Sequence, residues 1–298
     1  MNLKMAIDVT KGITAKGLNY LNVSLQDRTG IIEAKKWDTQ PIDLETIKKG
    51  AVLLIDGEVI LYRDKLQLKI INAYRANKES SDFNTIVISS PIPEDELINS
   101  FNYYKNSVKN ETLRKILDAI FDKYYQKFIV YPAAVRNHHE FYHGLIHHSV
   151  SMCKVAEQIT KIYPNASYDL LISGCLLHDI GKVIEFSDPI TPSYTNEGNL
   201  LGHISIGMSI IKETCDNLNI EGEIPMLLEH MILSHHGKLE YGSPITPLTR
   251  EALLLSMIDD MDAKMMVLDK AYRDVDEGSY TDRIFALDNA SYYKRHKM

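Results

Sequence analysis

Apolar and polar residues alternate over Leu21–Gln26, where Leu21, Val23 and Leu25 are separated by Asn22, Ser24 and Gln26. A period of two puts successive side chains on opposite faces of a half-buried strand. Asp27-Arg28-Thr29-Gly30 supplies turn chemistry, and Ile31–Trp37 follows as a second strand. A short helix-like piece with Leu44 and Ile47 stops at Gly50. Then come Val52–Tyr62, a turn at Arg63-Asp64-Lys65, and Leu66–Ala73. With a short first strand near Met5–Thr10, the order is three strands, a helix and two strands. That is the order of a small five-stranded OB barrel, although an SH3-like barrel reads similarly.

The pattern breaks over residues 76–93, which contain Lys78-Glu79-Ser80-Ser81-Asp82 and then Pro91 and Pro93. We therefore expect two domains: an all-β barrel over residues 1–80, a linker over 81–93 and an all-α domain over 94–298. Beyond Glu94 the period becomes helical. Leu113, Ile116, Leu117, Ile120 and Phe121 recur at spacings of three and four, as do Leu253, Leu254, Met257, Ile258, Met261 and Met265. The methionine cluster reads as core filler.

Hydrophobic residues make up 45% of the 298 and charged residues 24%, a balance that excludes a disordered or collagen-like chain. The longest apolar runs are four or five residues, such as Ala51–Ile55, whereas a membrane helix needs about 20. Cys153, Cys175 and Cys215 stand far apart with no CxxC pair, which fits reduced thiols and a cytoplasmic location. The net charge of −7 is unevenly spread: residues 1–80 hold 13 Lys/Arg against 10 Asp/Glu, the remainder 20 against 30. A mildly basic end on an acidic chain suits a polyanion-binding module, and chance in a small window explains it equally well.

The histidines say more. Ten of the eleven lie between His138 and His236. His178-Asp179 ends the apolar run Leu170–Leu177, just before Ile180-Gly181-Lys182. A carboxylate taken out of water there needs compensation, and imidazole with carboxylate suits borderline divalent metals. Alone, such a pair reads as a hydrogen-bonded structural contact. Context changes that reading. His147-His148, His203, Ser234-His235-His236-Gly237 and Ile258-Asp259-Asp260 each interrupt or close an apolar stretch on a separate predicted helix. Several helices each delivering one or two ligands to a common point is how helical bundles hold metals.

The order H…HD…H…HH…D resembles the HD superfamily of metal-dependent phosphohydrolases, whose domain is all-helical. More closely, the run from Asn137-His138-His139-Glu140-Phe141 to His148, HDIGK (178–182), EGNLLGHISI (197–206), LSHHGK (233–238) and MIDDMDAK (257–264) resembles the YhaM-type exoribonucleases. Those proteins place an OB fold before the HD domain and carry a further stretch before the first barrel strand, so the resemblance leaves two readings of the barrel edge here, an N-terminal truncation or a late start. The resemblance implies that His148, His178, Asp179 and Asp259 hold a first metal, with Asp179 bridging to a second completed by His203, His235 and His236. His147 matches no ligand position. His138, His139 and His143 are divided between a substrate-facing or helix-start role and a structural one. Asp260 and Asp262 are read as solvated or as supporting the ligands. Lys182 stands where many HD enzymes place a basic group beside the scissile phosphate, a surface lysine being the plain alternative. Asp179 and Lys182 are thus the expected catalytic pair.

Bound divalent cations lower the pKa of water and neutralise phosphate charge, so no serine or cysteine nucleophile is required. One or two Mn²⁺ are expected, with Fe, Co or Zn as alternatives. The implied activity is 3′→5′ exonucleolytic hydrolysis of single-stranded RNA, extending to single-stranded DNA, by metal-activated water. No membrane partner is expected, and a homo-oligomer is left open. Residues 186–198, with Pro189 and Pro192, serve either as one wall of the substrate cleft or as plain connection. On the barrel, Trp37, Tyr62, Arg63 and Lys65 are the candidate strand contacts, with Tyr20, Tyr74, Lys35, Lys36 and Lys69 beside them, because single-strand binders combine aromatic platforms with basic residues. Two rival readings are a phosphodiesterase or phosphatase acting on small nucleotides, and a nucleic-acid-binding factor with an inactive HD domain.

Overall fold

The computed structural model describes residues 2–63, 65–76, 86–134 and 140–297. Asp64, His138, His139 and the first part of the expected linker lie outside the described residues. The chain forms two compact units, Met1–Ser89 and Ser90–Met298.

In the first unit, β1 (Asn2–Ile13), β2 (Asn19–Asp27), β3 (Gly30–Trp37), β4 (Val52–Tyr62) and β5 (Lys65–Arg75) close a barrel in the order β1-β2-β3-β5-β4. All pairings are antiparallel except β3 with β5. The short helix α1 (Pro41–Thr46) sits between β3 and β4, which is the OB topology. The alternation read along the chain is the inside–outside code: Leu21, Val23 and Leu25 are buried with Leu53, Ile55, Leu68 and Ile70, while Ser24 reaches out to Glu33 across the strand pair. Proline opens α1 and the Asp43 carboxylate accepts from Gln40 N, so the helix starts sharply and seats Ile47 in the barrel core. The first strand is longer than the sequence suggested and pairs with both β2 and β4.

The second unit is all-helical. Its eight helices among the described residues are α2 (Glu94–Ser107), α3 (Glu111–Val130), α4 (Gly144–Ile162), α5 (Tyr168–Leu177), α6 (Lys182–Glu185), α7 (Asn196–Asn217), α8 (Glu223–Ser234) and α9 (Arg250–Tyr272). Side-chain caps fix several starts. Asn110 accepts from Thr112 N and Leu113 N, Ser167 from Leu170 N, and Thr249 from Ala252 N. Leu170–Leu177 is buried throughout, which makes α5 the central helix and carries His178-Asp179 into the interior at its end.

Two glycines shape how α6 and α7 meet. Gly202 at φ +69° breaks α7, so that His203 starts a new helical segment. Gly181 lies against that segment: a Cβ there would fall 2.0 Å from the His203 carbonyl oxygen. The glycine after the His-Asp pair is therefore a close contact between the start of α6 and the His203 segment of α7.

Helix α9 corrects one expectation. Leu253, Met257, Met261 and Met265, four apart, face outward, with Met257 59% exposed. The buried side carries Ala252, Leu255, Ser256 and Ile258 and delivers Asp259 and Asp262 inward. The apolar period of this helix thus follows its outer face, because acids occupy part of the inner one. No helix among the described residues is long and apolar enough to cross a membrane.

Candidate metal centre and catalytic cleft

Five helices of the second unit converge on Asp179, which is 2% exposed. Its Oδ2 lies 3.2 Å from His178 Nε2, 4.0 Å from His148 Nε2 and 2.6 Å from Lys182 Nζ. Its Oδ1 lies 3.5 Å from His203 Nε2 and 3.8 Å from His235 Nε2. Asp259 Oδ1 is 3.1 Å from His148 Nε2. Two sets of potential ligand atoms, His148–His178–Asp179 and His203–His235–His236, each fall within 4.8 Å of one another. The structure therefore brings together all seven residues that the sequence put forward as ligands.

The second ring nitrogens define the tautomers. A carbonyl oxygen can only accept, so the Nδ1–H groups of His178, His235 and His236 donate to Cys175 O (3.0 Å), Ile232 O (2.6 Å) and Tyr241 O (2.8 Å). His203 Nδ1 donates to Glu185 Oε1 at 3.1 Å, and His148 Nδ1 to Asp262 Oδ2 at 2.7 Å. Each Nε2 is left facing the centre. Among the described residues, His178 Nε2, His203 Nε2, His235 Nε2 and Asp179 Oδ1 are buried without a hydrogen-bond partner. Four orphaned acceptors aimed at one point are costly unless a cation completes them. The donor set of imidazoles and carboxylates fits a borderline divalent metal.

The electrostatics agree. Burial opposes the charge on Asp179, yet Lys182, His178 and His203 hold its carboxyl well below the usual range. Burial likewise opposes Asp259, and His148 and His178 hold it down. Burial pushes His235 and His236 down, and their proximity to other imidazoles adds to it, so both are neutral near pH 7 and available as ligands. His148 goes the other way. Burial lowers it, but Asp259 and Asp262 outweigh that and raise it to about 10.

The centre opens on a cleft of about 640 Å³, lined by Lys182, Glu185, Phe186, Tyr194, His203, His236, Tyr241, Asp259 and Asp260, with three alanines. Residues 186 and 194 thus stand in its wall. Lys182 faces the cleft as an ammonium paired with Asp179. His147 bonds Ser90 Oγ through Nδ1 (3.0 Å) and lies outside both ligand sets. His143, at φ +65°, donates to Ile129 O at 2.7 Å, a structural role at the start of α4. Reading along the chain assigns no role to Glu185, whose carboxylate accepts from both His203 Nδ1 and His203 N. A glutamate three residues after Lys182, closing a one-turn helix among apolar neighbours, is the available signal.

On the barrel, Trp37 is 41% and Tyr62 49% exposed. Lys35 Nζ lies 4.9 Å from the Trp37 ring centroid and 5.9 Å from that of Tyr62, and the Arg63 guanidinium is 5.3 Å from Tyr62. Tyr20 adds a ring 5.0 Å from Trp37, and Lys65 pairs with Tyr62 in the strand register. Tyr74 is at the other end of β5, opposite Leu54. Aromatic rings interleaved with cations on one end of an OB barrel make a candidate single-strand surface.

Residues 9–73 match the OB-fold nucleic acid binding domain family, and residues 145–264 match the HD domain family. The chain is 43% identical over 286 residues to the 3′-5′ exoribonuclease YhaM of Bacillus velezensis, covering 96% of this chain and 91% of that protein. A crystal structure of the HD domain of the L. monocytogenes phosphodiesterase PgpH is 22% identical, covering 55% of this chain and 76% of that one at a TM-score of 0.30. That superposition is too distant to add to the assignment. The barrel, the HD centre and identity along nearly the whole length place this chain in the YhaM family of 3′-5′ exoribonucleases.

Proposed function

We propose that the chain is a metal-dependent 3′→5′ exonuclease that removes nucleotides from single-stranded RNA, and also acts on single-stranded DNA. The observation that carries this reading is the set of buried, unpartnered Nε2 and carboxylate atoms converging on Asp179 beside an open cleft. His148, His178, Asp179 and Asp259 would hold a first divalent cation, and Asp179 with His203, His235 and His236 a second, Mn²⁺ in both. Such cations, when bound, activate water near neutral pH and offset phosphate charge. The chain's own contributions are separate. Asp179 presents one oxygen to each ligand set, and Lys182 keeps a positive charge at the cleft wall where a phosphate would lie. Glu185 and Asp262 fix the rings of His203 and His148.

The direct test incubates the protein with Mn²⁺ and 5′-end-labelled single strands of RNA and DNA. A ladder shortening from the 3′ end one nucleotide at a time is expected. Intact strands with tight binding, or hydrolysis confined to small phosphodiesters, would select one of the rival readings. The exposed aromatic and basic cluster on the barrel favours strands over small nucleotides.

The barrel's share can be measured. Stacking on an aromatic ring is worth about 1–3 kcal/mol per base, so Trp37→Ala should weaken binding of a twenty-nucleotide strand about tenfold or more. Removing two phosphate contacts with Arg63→Ala and Lys65→Ala should flatten the logarithmic salt dependence by about 1.4, at roughly 0.7 per single-strand phosphate. An unchanged salt slope would remove these two residues from the interface.

Metal uptake should release a proton. With its pKa raised to about 10, the His148 imidazole of the metal-free chain is charged at neutral pH, and a cation taking Nε2 must displace that proton. Affinity should rise about tenfold per pH unit between roughly pH 7 and 9, and titration calorimetry in two buffers should report about one proton released. The same shift fixes the sign of the effect on stability. A raised folded pKa gives a contribution complete below about pH 6.5 and lost as pH rises through about 10. Melting of the metal-free protein should therefore fall across that window while the increment from metal grows. Affinity that does not vary with pH would contradict this.

A further inference from the structure

The segment joining α6 to α7 supplies none of the ligands, yet it is firmly built. Ser187 N donates to Ser193 O at 2.9 Å, the two hydroxyls meet at 2.8 Å, and Thr195 N returns to Glu185 O at 2.9 Å. Asp188 Oδ1 accepts from Ile190 N and Thr191 N, both at 2.8 Å, and closes the tip. Phe186 and Tyr194 pair across the neck as an antiparallel bridge. Their rings meet at 5.5 Å with planes 68° apart. Phe186 is buried, whereas Tyr194 is 50% exposed, and both line the cleft that holds Asp179, Lys182 and His203.

Packing alone does not call for this arrangement. Phe186 fills the interior, and Tyr194 extends the apolar surface into water at the edge of the reacting centre. An edge-to-face pair also fixes the plane of the outer ring, so the platform is pre-set and a base stacking on it has no rotamer to order. The rest of the described lining is four of the proposed ligands, Lys182, Glu185, Asp260, Tyr241 and three alanines, with no second exposed ring beside Tyr194 except Tyr241 and no amide side chain. A flat ring accepts any nucleobase, because every base has a π-face. That suits an enzyme that must advance through every base of a strand.

We infer that Tyr194 is the stacking platform for the base of the 3′-terminal nucleotide, the one whose phosphodiester lies at the metal centre. The inference rests on the exonuclease reading above. It makes the enzyme indifferent to which base ends the strand and sensitive to whether one is there.

The experiment compares two RNA strands of equal length under Mn²⁺, one with an ordinary 3′-terminal nucleotide and one whose terminal sugar is abasic. In the parent protein KM for the abasic end should be about tenfold higher, equivalent to about 1.4 kcal/mol. Tyr194→Phe should keep that ratio, and Tyr194→Ala should bring it close to one. Tyr194→Leu, which keeps apolar bulk without a π-face, serves as the second variant and should also lose it. Melting temperature and metal content are measured on each. A parent ratio near one, a ratio retained in both Tyr194→Ala and Tyr194→Leu, or one lost equally in Tyr194→Phe would overturn the assignment. Failure of the parent to cut either strand would instead refute the exonuclease reading; cutting both with equal KM would leave that reading standing and remove the platform.

Discussion

Replacing Asp179 by alanine is expected to reduce hydrolysis below about one-thousandth of the parent rate while the helical fold persists. Removing a single oxyanion-hole donor costs about a hundredfold to a thousandfold, and this carboxylate faces both proposed ligand sets at once. Its two oxygens point in different directions: Oδ2 to His148, His178 and Lys182, Oδ1 to His203 and His235. Asp259 is not free to replace it, because it already engages His148. The fold does not depend on it in the same way, since α5 is held by eight buried residues ahead of His178. Alanine leaves the Lys182 ammonium without its partner at the cleft wall, so Asp179→Asn, which keeps the volume, is the companion variant. Far-UV circular dichroism, metal analysis and single-strand hydrolysis on both variants check the result. Normal turnover with full metal content in either variant would sink the proposed centre.

Removing His203 or His236 should separate the two proposed metals. Both belong to the second ligand set, and neither contacts Asp259 or His178 within ion-pair distance, so His148, His178, Asp179 and Asp259 remain to hold one cation. Metal per chain after exhaustive dialysis should fall from two to one in each variant, with at least a hundredfold loss of strand hydrolysis. A parent that never exceeds one metal per chain, or a variant that retains none, would refute the two-metal arrangement. His203→Ala also leaves Glu185 without its imidazole partner, so His236→Ala, whose Nδ1 partner is only a backbone carbonyl, is the cleaner of the two.

Much of the molecule is legible along the chain, for physical reasons that differ by region. The barrel can be read because its strands have one dry face and one wet one, so Leu21, Val23 and Leu25 announce both the element and its orientation. The centre can be read because histidine and aspartate at the ends of apolar runs are too costly to leave uncompensated, and their order matches a family. The supporting groups are harder. Glu185 and Asp262 act through rings that lie 18 and 114 residues away; the apolar neighbours of Glu185 are its one local signal, and nothing local separates Asp262 from a solvated acid. The carbonyls behind His178, His235 and His236 carry no residue signature at all. Helix α9 misleads for the opposite reason. Its strongest apolar period marks Leu253, Met257, Met261 and Met265, which face outward, while the working face is interrupted by the acids that it must deliver.

The way the five histidines are backed sets which parts of the centre evolution or design can adjust. Three are oriented by main-chain oxygens close in sequence, at Cys175, Ile232 and Tyr241, and a change of side chain at those positions leaves the oxygen in place. The other two are oriented by the carboxylates of Asp262 and Glu185, one behind each ligand set. An anionic partner makes an imidazole a stronger donor than a neutral carbonyl does, so exchanging either acid for its amide alters the basicity of one ligand in one set while every direct ligand is kept. On the proposed two-metal reading, Asp262 and Glu185 would be two separate dials for metal preference, each reachable by a single substitution, on a frame of three histidines held by the main chain.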